Sequence, residues 1–461
     1  MTICAISTAP GVGGIAVIRI SGEQAFTACD AIFKPFTAGV TVSAMAPNTI
    51  RFGQIVADNE LVDEVLVSVF HAPHSFTGEN VVEIACHGSQ FIQQEILKLV
   101  LAQGCRLAQP GEFTQRAFLN GKMDLSQAEA VADVIASQSR AAHRLAMNQM
   151  RGGFSNELLI LRDKLLTFTS LVELELDFSD HEDLEFADRS QLNTLADTIE
   201  QKIAKLVNSF SVGNAIKNGI PVAIVGETNA GKSTLLNVLL NEERAIVSDI
   251  HGTTRDVIED TVNIKGVLFR FIDTAGLRET TDTIENLGIE RTYQAIEKAN
   301  IVLWIIDTSQ INNQEKWLSE EIMKRVEHTP LILVFNKVDK LSEGERLALE
   351  QQFKDNRVPR IFISAKERLH TDELQELLYN AAKLPELSDQ DIMVTNMRHY
   401  EALKQAHTAI VRVQNGLNDR ISGDFLSQDI RECLHYLGEI TGQITTDEVL
   451  GNIFSKFCIG K

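Results

Sequence analysis

Proline is scarce in this chain, with 9 in 461 residues, and no segment has the biased polar composition of a disordered region. Apolar residues make up 44% of the chain, which is ordinary for a globular protein. Because a single hydrophobic core rarely serves more than ~300 residues, the length predicts about two to four domains.

Long apolar runs are also missing, since none approaches the ~20 residues that a helix needs to span a bilayer. No signal peptide begins the sequence, and the cysteines lack the paired spacing of zinc sites. We therefore expect a cytoplasmic protein with reduced thiols and no membrane partner. The six cysteines are Cys4, Cys29, Cys86, Cys105, Cys433 and Cys458.

Basic charge is in deficit, with 43 Lys and Arg against 63 Asp and Glu and a formal net charge of -20. Proteins that bind nucleic acid broadly need a basic surface to displace the counterions of the phosphates. The charge excludes that class, so we expect any RNA contact to be local or shared with a more basic partner.

Four segments differ in hydrophobic periodicity. Residues 1–118 mix strand and helix patterns, and residues 119–215 are mostly helical. Residues 216–384 alternate strand and helix patterns, as in a parallel sheet with covering helices, and residues 385–461 are helical again. The simplest architecture is multidomain α/β plus α, with the α/β domain inserted in a helical domain. Clear strand patterns lie at 15–20, 64–70, 220–225, 268–272 and 331–335, and apolar residues recur at helical spacing from Leu158 to Val172.

A phosphate-binding loop is predicted at residues 226–233, which read GETNAGKS and match the pattern G-x-x-x-x-G-K-[ST]. The glycines let backbone N–H groups turn toward phosphate oxygens, and the helix that follows adds its positive dipole. Lys232 would reach the terminal phosphates and Ser233 would bind Mg²⁺. Alone, the pattern also suits ATP. The nucleotide contacts expected here are Asn229, Ala230, Gly231, Lys232, Ser233 and Thr234.

Three further motifs follow strand patterns in the order typical of Ras-like GTPases. They are DTAG at 273–276, NKVD at 336–339 and SAK at 364–366. Asp273 ends one strand and faces the magnesium, and the amide of Gly276 would contact the γ-phosphate. Asp339 can accept hydrogen bonds from guanine N1–H and the exocyclic amine, an arrangement that adenine does not offer. We therefore predict that the nucleotide is GTP. The other guanine-site residues are Asn336, Lys337, Ser364, Ala365 and Lys366.

The stretch GTTRD at residues 252–256 is similar to the first switch of GTPases related to translation factors. Thr254 would supply the second protein ligand of Mg²⁺. Leu277 follows Gly276, where Ras-like proteins have the glutamine that orients the attacking water. Hydrolysis must therefore be organised differently in this chain.

The chain resembles the MnmE (TrmE) family of tRNA-modification GTPases along its whole length. The resemblance is carried by FSKFCIGK at 454–461, SFTGE at 75–79, PGEF at 110–113 and the loop that contains Asn229. It implies a homodimer with an N-terminal folate-binding and dimerisation domain and a P-loop Ras-like GTPase domain inserted in a helical domain. It also implies a heterotetramer with the flavoprotein MnmG, which holds FAD, and tRNA as the substrate. The reaction would add a (carboxymethyl)aminomethyl group to carbon 5 of the wobble uridine.

The resemblance implies a folate site and a potassium site. The one-carbon donor would be 5-formyl- or methylene-tetrahydrofolate, although an ordinary surface ion pair remains the alternative at each folate position. Potassium would take the place of an arginine finger. One of its ligands, residue 248, is a serine in this chain where we expect a threonine. The water would be oriented by Glu285, whose alternative is an exposed helix carboxylate. The folate residues are Arg19, Glu83, Lys122 and Lys461, and the potassium ligands are Asn229, Ser248, Ile250 and Thr253.

Cys458 has two interpretations. A thiol near Lys456 and Lys461 could have a lowered pKa and act as a catalytic nucleophile. It could instead be unreactive, in a tail that closes over the folate site. Prenylation is not expected, because Gly460 is not aliphatic and the final lysine is atypical.

Two alternatives to the tRNA-modification enzyme stay open. One is a GTP-switched RNA-binding factor for ribosome assembly without modification chemistry, as in the related Era group. Those proteins carry KH domains, and the sequence has no GXXG loop in a KH-like context. The other is a GTP-controlled scaffold that only gates its flavoprotein partner.

Overall fold

A computed structural model describes residues 1–37, 39–58, 60–177, 189–227, 229–244, 260–272, 293–309, 326, 329–352, 358–385 and 391–460. The chain divides into two compact units. The first consists of Met1–Ala136, Ala146–Lys205 and Glu401–Lys461, and the second of Ser137–Leu145 and Leu206–Tyr400. No helix within the described ranges is long and apolar enough to cross a membrane.

The first unit contains a seven-stranded sheet in the order β3-β4-β5-β6-β2-β1-β7. Neighbouring strands are antiparallel except for β1 and β7. Side chains alternate between a buried and an exposed face, as expected of a sheet covered on one side. The predicted strands at 15–20 and 64–70 are confirmed as parts of β2 and β5. The strands are β1 (Ile3–Ile6), β2 (Gly13–Ser21), β3 (Phe33–Pro35), β4 (Thr49–Ala57), β5 (Glu60–Phe70), β6 (Val81–Gly88) and β7 (Arg106–Leu107).

Helices α1 and α2 cover the buried face of this sheet, and their apolar side chains join its core. Other helices account for most of residues 112–218 and 397–454, and three more lie in the described parts of residues 232–381. Helix α6 confirms the helical spacing from Leu158 to Val172, because the residues of that pattern, Leu158, Leu161, Leu165, Phe168 and Val172, are all buried. The helices are α1 (Ala25–Asp30), α2 (Gln90–Ala102), α3 (Glu112–Leu119), α4 (Leu125–Ala136), α5 (Arg140–Met150), α6 (Gly153–Asp177), α7 (Arg189–Asn218), α8 (Lys232–Arg244), α9 (Glu343–Gln352), α10 (Thr371–Ala381), α11 (Met397–Asn418), α12 (Gly423–Thr441) and α13 (Asp447–Phe454).

The second unit contains a six-stranded sheet in the order β13-β12-β11-β8-β10-β9, in which only β9 is antiparallel to its neighbour. The central strands are apolar along their length because both faces are buried. Their carboxyl ends meet at one edge, which gathers the loops of the predicted motifs. The strands are β8 (Ile220–Val225), β9 (Asp260–Ile264), β10 (Val267–Ile272), β11 (Ile301–Asp307), β12 (Leu331–Asn336) and β13 (Arg360–Phe362).

Candidate functional site

The loop between β8 and α8 follows a path that only particular residues allow. Gly226 and Gly231 have φ values of 150° and 99°. A Cβ on Gly226 would lie 2.4 Å from the carbonyl oxygen of Ile305, and a Cβ on Gly231 would lie 2.1 Å from Nδ2 of Asn336. Both distances are too short for any side chain, so the two glycines of the pattern are required by packing as well as by conformation.

Asn336 joins three of the predicted motifs. It ends β12 and is buried. Its Nδ2 donates to the carbonyl oxygen of Ala230 at 2.8 Å, and its Oδ1 accepts from the backbone N–H of Ala365 at 3.0 Å. One side-chain amide therefore fixes the distance between the phosphate-binding loop and the guanine-reading segment.

Lys337 makes a second connection between these motifs. Its Nζ donates to the carbonyl oxygen of Asn229 and to Oδ2 of Asp307, at 2.6 Å in both cases. Burial alone would raise the pKa of Asp307, but hydrogen bonds from Lys337 and Ser309 hold that pKa below its ordinary value. Sequence reasoning missed Asp307. The sequence feature that could have identified it is an acidic residue at the end of an otherwise apolar strand, β11.

The predicted guanine-reading carboxylate is exposed and oriented by a neighbour. Oγ of Ser364 donates to Oδ1 of Asp339 at 2.6 Å and accepts from the backbone N–H of Glu367 at 3.2 Å. Ala365 is buried beside them, and Lys366 is exposed. The second carboxylate oxygen of Asp339 can therefore accept hydrogen bonds from a base.

The other phosphate-loop residues lie at the start of α8. Nζ of Lys232 donates to the carbonyl oxygens of Gly226 at 2.7 Å and Glu227 at 2.6 Å. Burial lowers the pKa of Lys232, and the charge of Glu227 partly opposes that effect. Ser233 and Thr234 occupy the first turn of the helix, at the positive end of the helix dipole. This arrangement suits an anionic ligand.

Several predicted residues lie outside the described parts of the chain, and their roles stay predictions. Within the described ranges, no group of three or more His, Cys, Asp or Glu residues could hold a metal ion. The predicted residues without a description are Ser248, Ile250, Thr253, Thr254, Asp273, Gly276, Glu285 and Lys461.

A second polar cluster lies in the first unit. Arg19 on β2 pairs with Glu83 on β6, with Nε and Nη2 both 2.8 Å from Oε1. Nη1 of Arg19 also donates to the carbonyl oxygen of Gly460 at 3.4 Å. The guanidinium carbon lies 5.8 Å from the ring centre of Phe76 and 5.6 Å from that of Phe113. The structure thus brings two predicted folate residues together beside the C-terminal tail.

Lys122, another predicted folate residue, lies against the loop that carries Phe76. Its Nζ donates to the carbonyl oxygen of Pro73 at 2.9 Å. A Cβ on Gly78, whose φ is 77°, would lie 3.4 Å from Cγ of Lys122. The loop from Pro73 to Gly78 therefore contacts Lys122 and also carries Phe76, the ring that lies beside Arg19.

Cys458 differs from the other cysteines because it is exposed. Its carbonyl oxygen accepts from the backbone N–H of Gly111 at 3.3 Å, which anchors the tail to the PGEF segment. The other five thiols are buried, and burial raises the pKa of Cys4 to about 12 and that of Cys86 to about 11. Among the cysteines of this chain, Cys458 is therefore the best candidate for a reactive thiol.

Comparison with known proteins gives matches along the whole chain. A family model described as the MnmE helical domain matches residues 125–458, and one described as the N-terminus of the GTP-binding protein TrmE matches residues 2–122. The tRNA modification GTPase MnmE of Bacteroides fragilis is 64% identical over 463 residues, which cover 100% of this chain and 99% of the relative. The protein of that name from Parabacteroides distasonis is 62% identical over 461 residues, with 100% of each chain covered.

Among solved structures, a variant of Aquifex aeolicus Era bound to GDP and AlF4- is 29% identical, with a TM-score of 0.28, over 41% of this chain and 66% of that one. The sheet order and the family matches confirm the predicted fold class, in which a P-loop GTPase domain is inserted in a helical domain that follows an N-terminal α+β domain. Since both a family model and relatives above 60% identity cover the chain, it belongs to the MnmE family of tRNA modification GTPases.

Proposed function

We propose that this chain is the GTP-hydrolysing component that modifies carbon 5 of the wobble uridine, position 34, of tRNA. With the flavoprotein MnmG it adds an aminomethyl or carboxymethylaminomethyl group, using a tetrahydrofolate derivative as the one-carbon source. One observation carries the proposal: the match to a 64% identical relative spans the whole chain, so it covers both the nucleotide site and the Arg19–Glu83 cluster. A GTP switch alone needs only the first of these.

The nucleotide half of the function is supported by the described contacts of Lys232 and Asp339. Lys232 and the first turn of α8 bind the phosphates, and Asp339 accepts hydrogen bonds from the guanine edge. Ser233 and Thr254 would hold Mg²⁺. The metal would neutralise charge on the phosphate oxygens, which protein groups alone would leave partly uncompensated.

Potassium-dependent hydrolysis fits what surrounds Asn229. This residue is exposed, and Lys337 holds its carbonyl oxygen, so its side-chain amide can bind a cation. The cation would neutralise charge that develops between the β- and γ-phosphates. Carbonyl oxygens of Ser248, Ile250 and Thr253 would complete its shell, and Glu285 would orient the attacking water in place of the missing glutamine.

The folate half of the function rests on the chemistry of the second cluster. A carboxylate such as Glu83 suits the amino and N–H edge of a pterin ring. Basic side chains suit the glutamate tail of the same molecule, and we assign Lys122 and Lys461 to this part of the site, whereas Arg19, bonded to Glu83, belongs to the pterin end. Phe76 and Phe113 already pack beside Arg19.

A homodimer is proposed on the uncovered face of the seven-stranded sheet. Ile50, Phe52 and Leu66 are each between 46% and 57% exposed, and Phe52 and Leu66 face each other across β4 and β5. Adjacent exposed apolar side chains of this size typically mark a protein interface. A second copy of this chain covers them, and the dimer forms a cytoplasmic heterotetramer with MnmG.

The test is mass spectrometry of wobble nucleosides in tRNA from cells that lack this protein. Wild type should restore the modified uridine, whereas Lys232→Ala and Glu83→Gln should not. Lys340→Ala is the matched control, because Lys340 is exposed next to Asp339 and has no assigned role. If tRNA from the deletion strain carries normal modification while ribosomal RNA processing fails, the ribosome-assembly function is correct instead.

A further inference from the structure

Two carboxylates from separate motifs converge on one guanidinium in the first unit. Nη1 of Arg116 donates to both carboxylate oxygens of Glu79, at 3.0 and 2.8 Å. Nη2 donates to Oε1 of Glu112 at 3.0 Å and to the carbonyl oxygen of Met1 at 2.9 Å. Glu79 belongs to SFTGE and Glu112 to PGEF, so Arg116 joins the two N-terminal motifs.

The joined motifs supply the two aromatic rings beside Arg19. Phe76 lies three residues before Glu79, and Phe113 directly follows Glu112. Their rings lie 5.8 and 5.6 Å from the guanidinium carbon of Arg19, within reach of a cation–π contact. Any shift of Glu79 relative to Glu112 would therefore change the packing around Arg19.

The same connection reaches the C-terminal tail, defined here as residues 454–460. The backbone N–H of Gly111 donates to the carbonyl oxygen of Cys458 at 3.3 Å. Gly111 has φ 68°, and a Cβ there would lie 2.8 Å from the carbonyl oxygen of Phe454. The carbonyl oxygen of Gly460 in turn accepts from Oγ of Ser7 at 3.1 Å and from Arg19.

We propose that Arg116 is a positioning residue for the Arg19–Glu83 site and for the tail. It does not touch Arg19, and it acts by holding Glu79 and Glu112 at a fixed separation. A planar guanidinium serves the four oxygen acceptors through two nitrogens, Nη1 toward Glu79 and Nη2 toward Glu112 and Met1, whereas an ammonium has a single nitrogen and cannot occupy both places. The ligand class, a reduced folate, rests on the proposed function. The effect on the tail does not depend on it.

The experiment compares three variants of the full chain with wild type. Arg116→Gln removes the bridging cation. Arg116→Lys keeps the positive charge but has one nitrogen in place of the two that contact Glu79 and Glu112. Arg106→Gln is the matched control, because Arg106 pairs with Glu112 at 2.7 and 2.5 Å without touching Glu79. The probe is 5-formyl-tetrahydrofolate, and its dissociation constant is measured by calorimetry.

We expect Arg116→Gln to weaken folate binding at least ~10-fold and Arg116→Lys by ~3- to 10-fold, with Arg106→Gln within ~2-fold of wild type. GTP hydrolysis should stay within ~2-fold in all three, since none of them lies in the nucleotide unit. Folate binding within ~2-fold of wild type in Arg116→Gln would overturn the proposal. So would an equal loss in Arg106→Gln, which would indicate a general role of charge around Glu112.

Amide hydrogen exchange separates positioning from general destabilisation, and it needs no folate. Arg116→Gln should speed exchange in the tail and in residues 73–79, while β5 and β6 exchange as in wild type. Uniformly faster exchange through the sheet would overturn the proposal. The double variant Arg116→Gln with Glu79→Gln removes both charges, so its stability should recover while tail exchange stays fast. If wild type binds no folate, the folate part of the proposed function fails, but the exchange result still decides the role of Arg116.

Discussion

Asp307 offers the sharpest test of how the nucleotide site is held. Asp307→Asn keeps the size of the side chain and an oxygen that can accept from Ser309, but it removes the negative charge that faces Lys337. The side chain of Asp307 is 5% exposed and that of Lys337 is 24% exposed. The pair is therefore shielded well enough for the loss to be measurable, unlike a surface ion pair.

The magnitude follows from what is lost and what remains. Breaking a buried ion pair by removing one partner costs about 3–5 kcal/mol when a charge is left without compensation. In this variant Lys337 keeps its bond to the carbonyl oxygen of Asn229 and some exposure to water. A charge-assisted hydrogen bond contributes about 1.5–3 kcal/mol, so we expect a loss of about 2 kcal/mol. Because Lys337 holds the phosphate-binding loop, part of this loss should appear as weaker nucleotide binding, up to ~30-fold.

The assay is titration of a fluorescent GDP analogue, together with urea unfolding of the same samples. Ser309→Ala is the control, because it removes the hydroxyl that donates to Asp307 at 2.7 Å and leaves the contact with Lys337 intact. The control should bind nucleotide within ~3-fold of wild type. Wild-type affinity and stability in Asp307→Asn would refute the reasoning that this ion pair holds the loop.

The pH dependence of stability should differ between wild type and the variant. Hydrogen bonds hold the pKa of Asp307 below its ordinary value in the folded state, although burial acts in the other direction. A lowered folded pKa gives stability that is present above the unfolded pKa of ~3.9 and is lost as the pH falls through the folded pKa. The difference in unfolding free energy between the two proteins should therefore be largest near neutral pH and shrink in acid.

Three further outcomes test the assigned roles. Asp339→Asn should cost on the order of 2 kcal/mol in GTP binding and shift preference toward xanthine nucleotide, and unchanged preference in a competition assay would contradict the guanine assignment. Replacing potassium by sodium should slow GTP turnover strongly while GTP still binds, whereas equal turnover would exclude a potassium ligand at Asn229. Cys458→Ser should leave GTP hydrolysis near normal and sharply reduce uridine modification, while deletion of Lys461 should be milder. Full modification by the serine variant would limit the tail to closing the site.

The sequence was sufficient for the parts of the fold that depend on local pattern. Apolar runs at 220–225, 268–272 and 331–335 became strands because each is buried on both faces of a parallel sheet. The motif residues follow those strands, so their meeting at one sheet edge could be predicted from topology alone. The same reasoning put Asn336 at the end of a strand, where the structure has it, and its role at the guanine stays a prediction.

What the sequence could not reveal are contacts between a motif residue and a distant residue that belongs to no motif. Asp307 lies 30 residues from Lys337, and Arg116 lies 37 residues from Glu79. Each contact depends on the register of strands or on the docking of a helix, neither of which leaves a local signal. An acid at a strand end and an arginine on a helix are common, and only the fold distinguishes these two from the rest.

At Lys337, the cost of backbone strain can be compared with the stabilisation that its side-chain hydrogen bonds provide. Its φ is 68°, a left-handed conformation that costs a residue with a side chain about 1–2 kcal/mol, and Asn229 at φ 64° carries a smaller cost of the same kind. Glycine at either position would relieve this strain. At 337 it would also remove two hydrogen bonds from an ammonium group, each worth about 1.5–3 kcal/mol. The bonds outweigh the strain, so lysine is the better residue there, and the strained pair is stable because each member holds the other in place.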